Sequence, residues 1–254
     1  MERANYHTHT PRCMHAVGSE REYIEHAIKG GIQILGFSDH SPMPYTDGFV
    51  SGIRMTMQQL PEYIGTLLAL REEYKSQIDI RIGFEAEYVP ELFESFMKIV
   101  EREPIEYLIL GQHFVGTETP SRYSGRVHEE REWLKEYVDV VIEGLKTGKF
   151  AYLAHPDLIH FGGDKGYYEE QMIRLCEACK KMNIPLEINR LGLCESRHYP
   201  TDLFWKQAAV VGNQVIIGYD AHQPEVMSDE DGYQACLKYA AKHGLTVDEG
   251  YRIV

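Results

Sequence analysis

Residues 32–40, with the sequence IQILGFSDH, carry the pattern that decides the fold. A mostly apolar run ends at a Ser-Asp-His tripeptide, which is typical of a buried strand followed by a polar loop. The segment before this strand begins with Ser19 and Glu22, the spacing of a helix capping box, and ends at a Gly-Gly pair. The sequence therefore predicts a helix, then a strand, with ionisable residues directly after the strand.

The same alternation of short apolar runs and segments of helical period continues along the chain. The predicted strands lie at residues 3–8, 32–37, 78–84, 107–110, 150–153, 185–188 and 214–218. The first predicted helix begins near residue 19, and the others cover residues 57–74, 90–100, 129–145, 168–182, 202–211 and 229–243. This order of strand–helix units, without a linker, favours an α/β fold with a parallel sheet in a single domain.

The composition is that of a globular protein and excludes several classes of function. The 254 residues are 43% hydrophobic and 26% charged, enough for one large domain with a sizeable core. A formal net charge of -13 argues against nucleic acid and anionic membranes as partners, because both attract basic surfaces. The polar first residues and the lack of a long apolar run favour a cytoplasmic location. Five cysteines, an odd number, do not suit a disulfide framework.

Ionisable residues gather at the ends of the predicted strands. Seven of the 12 histidines lie there or just beyond, together with one glutamate and one aspartate. The set consists of His7, His9, His15, His40, Glu85, His113, His155, Asp220 and His222. In a β/α barrel these positions meet at one face, where active sites of that fold lie. Imidazoles and carboxylates are ligands suited to zinc, manganese or iron, so the pattern predicts a metal site.

These residues resemble the metal-site motifs of the PHP (polymerase and histidinol phosphatase) superfamily. The motifs that carry the resemblance are His7-Thr8-His9-Thr10, His15, Ser38-Asp39-His40, Glu85, His113, His155-Pro156 and Asp220-Ala221-His222, in family order. The resemblance implies a distorted (β/α)7 TIM-like barrel, with residues 1–254 as a single PHP-type domain. It also implies three divalent ions (Zn, Mn or Fe) as cofactors.

The resemblance distributes nine ligands over the three ions. The first ion would take His7, His9, Glu85 and Asp220. The second would share Glu85 and add His113 and His155, and the third would take His15, His40 and His222. Cys13 lies between His9 and His15, and the surrounding family histidines make it unnecessary as a ligand.

The charge of such a site favours phosphoryl hydrolysis. Three divalent ions outweigh two carboxylates and a hydroxide by about three positive charges, which suits a phosphate dianion and its transition state. Our hypothesis is that a hydroxide held by the ions attacks phosphorus in line. The departing alkoxide needs a proton, and Asp220 or His198 could supply it as the catalytic acid.

The resemblance points first to histidinol-phosphatase activity, the hydrolysis of L-histidinol phosphate in histidine biosynthesis. Arg190, Arg197 and His160 follow predicted strands and are candidate contacts of this small phosphorylated substrate. One alternative is a phosphatase or phosphodiesterase of the same superfamily that acts on another small ester or a nucleotide. A second alternative is a non-catalytic metal-binding regulatory module, which is disfavoured because all nine ligand positions are occupied.

Overall fold

The computed structural model describes residues 3–116 and 118–253. The chain forms two compact units. Unit 1 takes the chain up to Ile109, with Gly218–Asp231 and the residues from Glu249 onward. Unit 2 takes Leu110–Ile217 and Gly232–Asp248.

A parallel sheet and three helices make up most of unit 1. The sheet has the strand order β1-β2-β3-β4, with β1 at Arg3–Asn5, β2 at Ile32–Phe37, β3 at Asp79–Ala86 and β4 at Tyr107–Leu110. Strand β2 pairs in parallel with β1 and with β3. The helices are α1 at Glu20–Lys29, α2 at Leu60–Tyr74 and α3 at Pro90–Val100. The predicted capping box is present, since Ser19 and Glu22 each bond the other's backbone at the start of α1.

Two glycines in the sheet make room for a buried tyrosine. A Cβ atom on Gly36 of β2 would lie 2.2 Å from the Tyr107 hydroxyl, and one on Gly83 of β3 would lie 2.5 Å from the same ring. The Tyr107 hydroxyl donates a hydrogen bond of 2.9 Å to the Tyr6 carbonyl. Glycine inside a strand often marks such a close approach. The Tyr107 ring links β4 to the residue after β1 and helps to fix the residues that follow β1.

Unit 2 contains the remaining elements. They are α4 at Arg131–Lys146, α5 at Lys165–Met182, β5 at Leu186–Asn189, α6 at Arg190–Cys194, α7 at Asp202–Val211, β6 at Val215–Gly218 and α8 at Glu230–Lys242. Three of their residues, Gly218, Glu230 and Asp231, belong to unit 1. Strands β5 and β6 are neighbours, and α5 packs against α4 and α7. No helix within the described residues is both long enough and apolar enough to cross a bilayer.

The predicted strand at residues 150–153 is wrong as a full strand. Of its residues only Leu153 pairs, through parallel bridges to Leu110 on one side and Leu186 on the other. The pairing rests on a few backbone bonds, such as Ala154 N–H to the Leu110 carbonyl at 2.9 Å and Glu187 N–H to the Leu153 carbonyl at 3.0 Å. A seventh strand position is thus present, but its ladder is too short to count as a strand.

Helix α5 begins before its predicted first residue, 168. Asp164 caps α5 by accepting a hydrogen bond of 2.9 Å from the Tyr167 backbone N–H, so the helix starts at Lys165. A second local cap was also missed in the sequence. Asn189 accepts a hydrogen bond from the Gly192 N–H and starts the short helix α6.

Candidate metal centre

Four side chains of unit 1 converge on one point. His7 and His9 follow β1, Glu85 lies near the end of β3, and Asp220 follows β6. His7 Nε2 lies 3.6 Å from Glu85 Oε2 and 3.5 Å from Asp220 Oδ1. His9 Nε2 lies 3.5 Å and 3.1 Å from the same two oxygens. We call these residues the four-donor cluster; all four are buried.

The spacing of these atoms fits one divalent ion. Four ligands at about 2.0–2.1 Å from a tetrahedral zinc lie roughly 3.3 Å from one another. The nitrogen–oxygen distances in the four-donor cluster, 3.1–3.6 Å, bracket that value and exceed a normal hydrogen bond in three of four cases. The arrangement therefore suits ligands around a cation better than a set of direct hydrogen bonds.

Backbone pairing places the four-donor cluster. Thr8 pairs with Ala221, and the His9 N–H donates a bond of 3.0 Å to the Ala221 carbonyl, so the chain after β1 lies beside the chain after β6. Glu85 pairs with His40 in the same parallel sense. Asp220 has a φ of 51°, in the left-handed region that non-glycine residues seldom adopt. Such strain persists where the surroundings require it, often at functional sites.

Asp39 orients a member of the cluster. Its Oδ1 lies 3.5 Å from His9 Nδ1 and accepts a hydrogen bond of 2.8 Å from the His40 N–H, while its Oδ2 accepts from the Thr10 hydroxyl. A carboxylate behind a ligating imidazole fixes the ring orientation and its tautomer. Sequence reasoning missed this role, although Asp39 stands in the Ser-Asp-His motif directly before a predicted ligand.

Burial and neighbouring histidines shift the pKa values of Asp220 and Asp39 in opposite directions. Burial alone would raise the pKa of Asp220, but the adjacent His7 and His9 outweigh it and hold that pKa well below its usual range. Burial raises the pKa of Asp39, and the neighbouring His9 opposes this shift. The ionised state of Asp220 suits a metal ligand, and its predicted role as catalytic acid stays a prediction.

A second histidine group lies beside the four-donor cluster. The rings of His15 and His222 stack with centroids 4.7 Å apart, and His15 and His40 lie 5.4 Å apart. His40 Nδ1 lies 3.0 Å from Glu85 Oε2. These are the three residues that the resemblance implied for the third ion. One thiol lies beside two of them: the donor atoms of Cys13, His15 and His222 all lie within 4.8 Å of one another.

The two remaining predicted ligands belong to unit 2. The rings of His113 and His155 lie edge to face with centroids 5.0 Å apart. The His155 N–H donates a hydrogen bond of 3.3 Å to Glu187 Oε1, and His155 has a φ of 26°, again in the left-handed region. Within unit 2 the fold thus brings this predicted pair together on a strained backbone.

A cavity of about 280 Å³ in unit 2 is lined by His160, His198, Lys165 and Tyr168, among others; we call it the unit-2 cavity. The rings of His160 and His198 stack at 4.2 Å. His198 Nε2 lies 2.7 Å from the Leu158 carbonyl, which can only accept, so this nitrogen carries the proton. Burial lowers the pKa of His198, and the bond to Leu158 opposes the shift.

The two arginines predicted as phosphate contacts differ in exposure. Arg190 is the first residue of α6 and is partly buried. Arg197 has a side chain 43% exposed, with its guanidinium 3.1 Å from Glu195 Oε2 and 3.5 Å from the Tyr199 hydroxyl. Their contact with substrate stays a prediction.

The PHP domain family matches residues 5–191 of this sequence. This covers most of the chain and carries the N-terminal histidines, Glu85 and the pair of unit 2. The chain belongs to the PHP domain family. The resemblance drawn from the sequence motifs is thereby confirmed, and the buried imidazole and carboxylate donors of this PHP protein suit divalent metal ions.

The relatives of this PHP protein include named phosphatases. It is 30% identical over 226 residues to the probable histidinol-phosphatase of Deinococcus radiodurans. The match covers 86% of this chain and 85% of that protein. It is 25% identical over 254 residues to the histidinol-phosphatase of Bacillus subtilis, covering 88% and 94%.

A solved structure also resembles this PHP protein. The histidinol phosphate phosphatase of Lactococcus lactis, crystallised with zinc, L-histidinol and phosphate, has a TM-score of 0.74 at 17% identity, covering 97% of this chain and 95% of that one. At this identity the likeness shows the fold alone. It confirms the predicted fold class, the TIM-like α/β barrel of the superfamily.

Proposed function

We propose that this PHP protein is a metal-dependent phosphomonoesterase that hydrolyses L-histidinol phosphate to L-histidinol and phosphate. The observation that carries the proposal is the four-donor cluster, whose nitrogen–oxygen distances of 3.1–3.6 Å suit one divalent ion. The names of the Deinococcus radiodurans and Bacillus subtilis relatives support the substrate. A small phosphorylated substrate, rather than nucleic acid or a membrane, also agrees with the net charge of -13.

The proposal includes three divalent ions. The four-donor cluster would hold the first, and the group of His15, His40 and His222 would contribute to another. The part of the ligand set that names His113 and His155, with Glu85 shared, comes from the resemblance to the family. Nitrogen and oxygen donors accept zinc, manganese and iron, and the zinc of the Lactococcus lactis structure favours zinc among them.

Divalent ions at such a site lower the pKa of bound water and offset the charge of a phosphate. The protein's own residues provide the frame for that chemistry. His7 and His9 direct their Nε2 atoms at the two carboxylates, and Asp39 holds the His9 ring from behind. Because these side chains are buried, solvent does not compete for the donor atoms and the electrostatic interactions are strengthened.

The chain must also bind the phosphate and supply a proton to the leaving alkoxide. Arg190, Arg197 and His160 remain the candidate phosphate contacts, and Asp220 and His198 the candidate proton donors. In His198 the Nε2–H is held by the Leu158 carbonyl, so only Nδ1 could face a substrate. The lowered pKa of His198 also favours the neutral ring at neutral pH, which weakens it as an acid.

The proposed activity is tested by phosphate release from L-histidinol phosphate by the metal-reconstituted protein, beside an aryl phosphate and a dinucleotide. We expect kcat/KM for L-histidinol phosphate to exceed that for the other two by about 10²-fold or more, since specific contacts are worth several kcal/mol. Activity on only the other esters would keep a PHP hydrolase and overturn the substrate. A loaded protein that hydrolyses none of them would favour the regulatory module instead.

Two further predictions accompany the proposed function and are open to direct measurement. The cytoplasmic location can be checked by fractionating the source cells. The single-domain organisation can be checked by limited proteolysis, in which one domain gives no stable fragment that ends near residue 110.

A further inference from the structure

The structure places a thiol among histidines that the resemblance implies as metal ligands. Cys13 is fully buried at the end of a 3-10 turn, Pro11–Cys13, that Thr10 caps. Met14 then adopts a φ of 67°, and its N–H bonds the Pro11 carbonyl, which turns the chain sharply between Cys13 and His15. The turn brings the Cys13 thiol and one nitrogen each of His15 and His222 within 4.8 Å of one another.

Both histidines of this group have the tautomer of a metal ligand. His15 Nδ1 lies 2.6 Å from the Cys13 carbonyl, and His222 Nδ1 lies 2.9 Å from the Asp220 carbonyl. A carbonyl only accepts, so each Nδ1 carries the proton and each neutral ring keeps a lone pair on Nε2. His222 Nε2 is buried and makes no hydrogen bond within the described residues. A backbone carbonyl is one of the usual hydrogen-bond partners behind a ligating histidine.

From this geometry we propose that Cys13 is a metal ligand, which binds a zinc ion through its thiolate together with His15 and His222. These three ligands leave one position of a tetrahedral zinc, which His40 would take. His40 has a donor atom within 4.8 Å of one on His222, and the proposed function assigns it to the same ion. His15 is exposed, so one side of this group reaches the surface of unit 1.

A thiolate changes which metal the group prefers. Imidazole and carboxylate accept zinc, manganese and iron alike, whereas a soft sulfur ligand favours zinc over manganese and magnesium. Cys176 and Cys179 are as buried as Cys13 but lie on α5. Burial raises the pKa of both thiols, which disfavours the thiolate that a metal binds. The inference rests on the proposed function, which it deepens by adding a ligand, and the ligand itself is tested without substrate.

The test uses cobalt(II) as a spectroscopic probe in the full-length apo protein. A cobalt–thiolate bond gives an intense sulfur-to-metal charge-transfer absorption in the near ultraviolet, which nitrogen and oxygen ligands do not give. We expect this band in the unmodified protein and in Cys179→Ser, and its loss in Cys13→Ser. Metal analysis after zinc loading should show Cys13→Ser with up to one equivalent less than Cys179→Ser.

A second variant keeps the inference testable if serine disturbs the fold. Cys13→His keeps a ligand at this position, so it should restore the zinc content without the charge-transfer band. A band that persists in Cys13→Ser, or a protein without the band before any substitution, would overturn the inference. Phosphate release from L-histidinol phosphate is measured on the same samples. A band without hydrolysis would refute the proposed function alone, and hydrolysis without a band would refute the Cys13 ligand alone.

Discussion

Two groups of histidines in this protein illustrate different uses of the same side chain. In the four-donor cluster of unit 1, His7 and His9 direct their Nε2 atoms at carboxylate oxygens 3.1–3.6 Å away. At the unit-2 cavity, His160 and His198 stack at 4.2 Å, and His198 Nε2 bonds a backbone carbonyl at 2.7 Å. The first distances suit ligands around a cation, and the second suits a normal hydrogen bond.

The comparison shows that the atoms faced by the ring nitrogens differ between the two groups. The Nε2 of the fully buried His9 faces carboxylate oxygens, whereas the Nε2 of the partly buried His198 faces a backbone carbonyl. Nitrogens that converge with carboxylate oxygens need a cation to be stable in a buried place, because desolvation penalises isolated charges. A nitrogen bonded to a carbonyl is satisfied without one. The following predictions can break or sharpen this distinction.

The largest effect should follow removal of a carboxylate from the four-donor cluster. In Glu85→Gln an amide replaces the anionic ligand, so we expect loss of bound metal and a fall in turnover on the order of 10³-fold. Metal analysis and phosphate release measure the two effects, with circular dichroism to show that the fold is retained. Glu94→Gln, at an exposed carboxylate paired with Lys98, serves as the control and should be unchanged. Full turnover in Glu85→Gln would remove the four-donor cluster from the chemistry.

A smaller effect should follow removal of the carboxylate behind His9. Asp39→Asn keeps the shape but weakens the acceptor that orients the ring, so metal affinity should fall by about 10–100-fold. Competition with a chromophoric chelator measures this affinity. Asp79→Asn, whose carboxylate pairs with Arg81 on the surface, is the matched control. Equal affinities for both variants would mean that Asp39 has no orienting role.

The cavity histidine should behave differently. His198→Phe keeps a ring to stack on His160 but removes the hydrogen bond to Leu158. We expect unchanged metal content and a fall in kcat of at most about tenfold, the value of one hydrogen bond. General acids contribute about 10²–10⁴-fold, so a loss in that range would instead assign the proton donor to His198. Lost metal in this variant would contradict the separation of the two histidine groups.

The smallest effect concerns pH. Because burial lowers the pKa of His198, its ring should titrate below the ordinary value of 6.5, as measured by NMR. The unfolded chain then binds the proton more readily, so the stability from the neutral ring is fully present above pH 6.5 and is lost as the pH falls through the folded-state pKa. His198→Phe should flatten this part of the stability curve. A titration above 6.5 would contradict the burial that the structure shows.

Much of the fold follows from local pattern. The bounds of β2, β4, α3 and α7 agree with the predicted segments, and α1 begins at its predicted capping box. The segment at residues 150–153 failed because its apolar residues indicate burial, whereas strand length depends on the neighbours that supply backbone partners. The caps at Asp164 and Asn189 were missed because short polar side chains also occur in turns.

The sequence by itself determined which residues could form a site. Ionisable side chains at the ends of successive strands, with His7 and His9 two residues apart, are fixed by periodicity and by family motif. Only the tertiary structure decided which atoms meet. The placement of Asp39 behind His9, and of Cys13 with His15 and His222, depends on strand bridges and left-handed turns that set positions to within an ångström. Ligand geometry varies on that scale, whereas sequence spacing specifies only the order of residues and the face on which they lie.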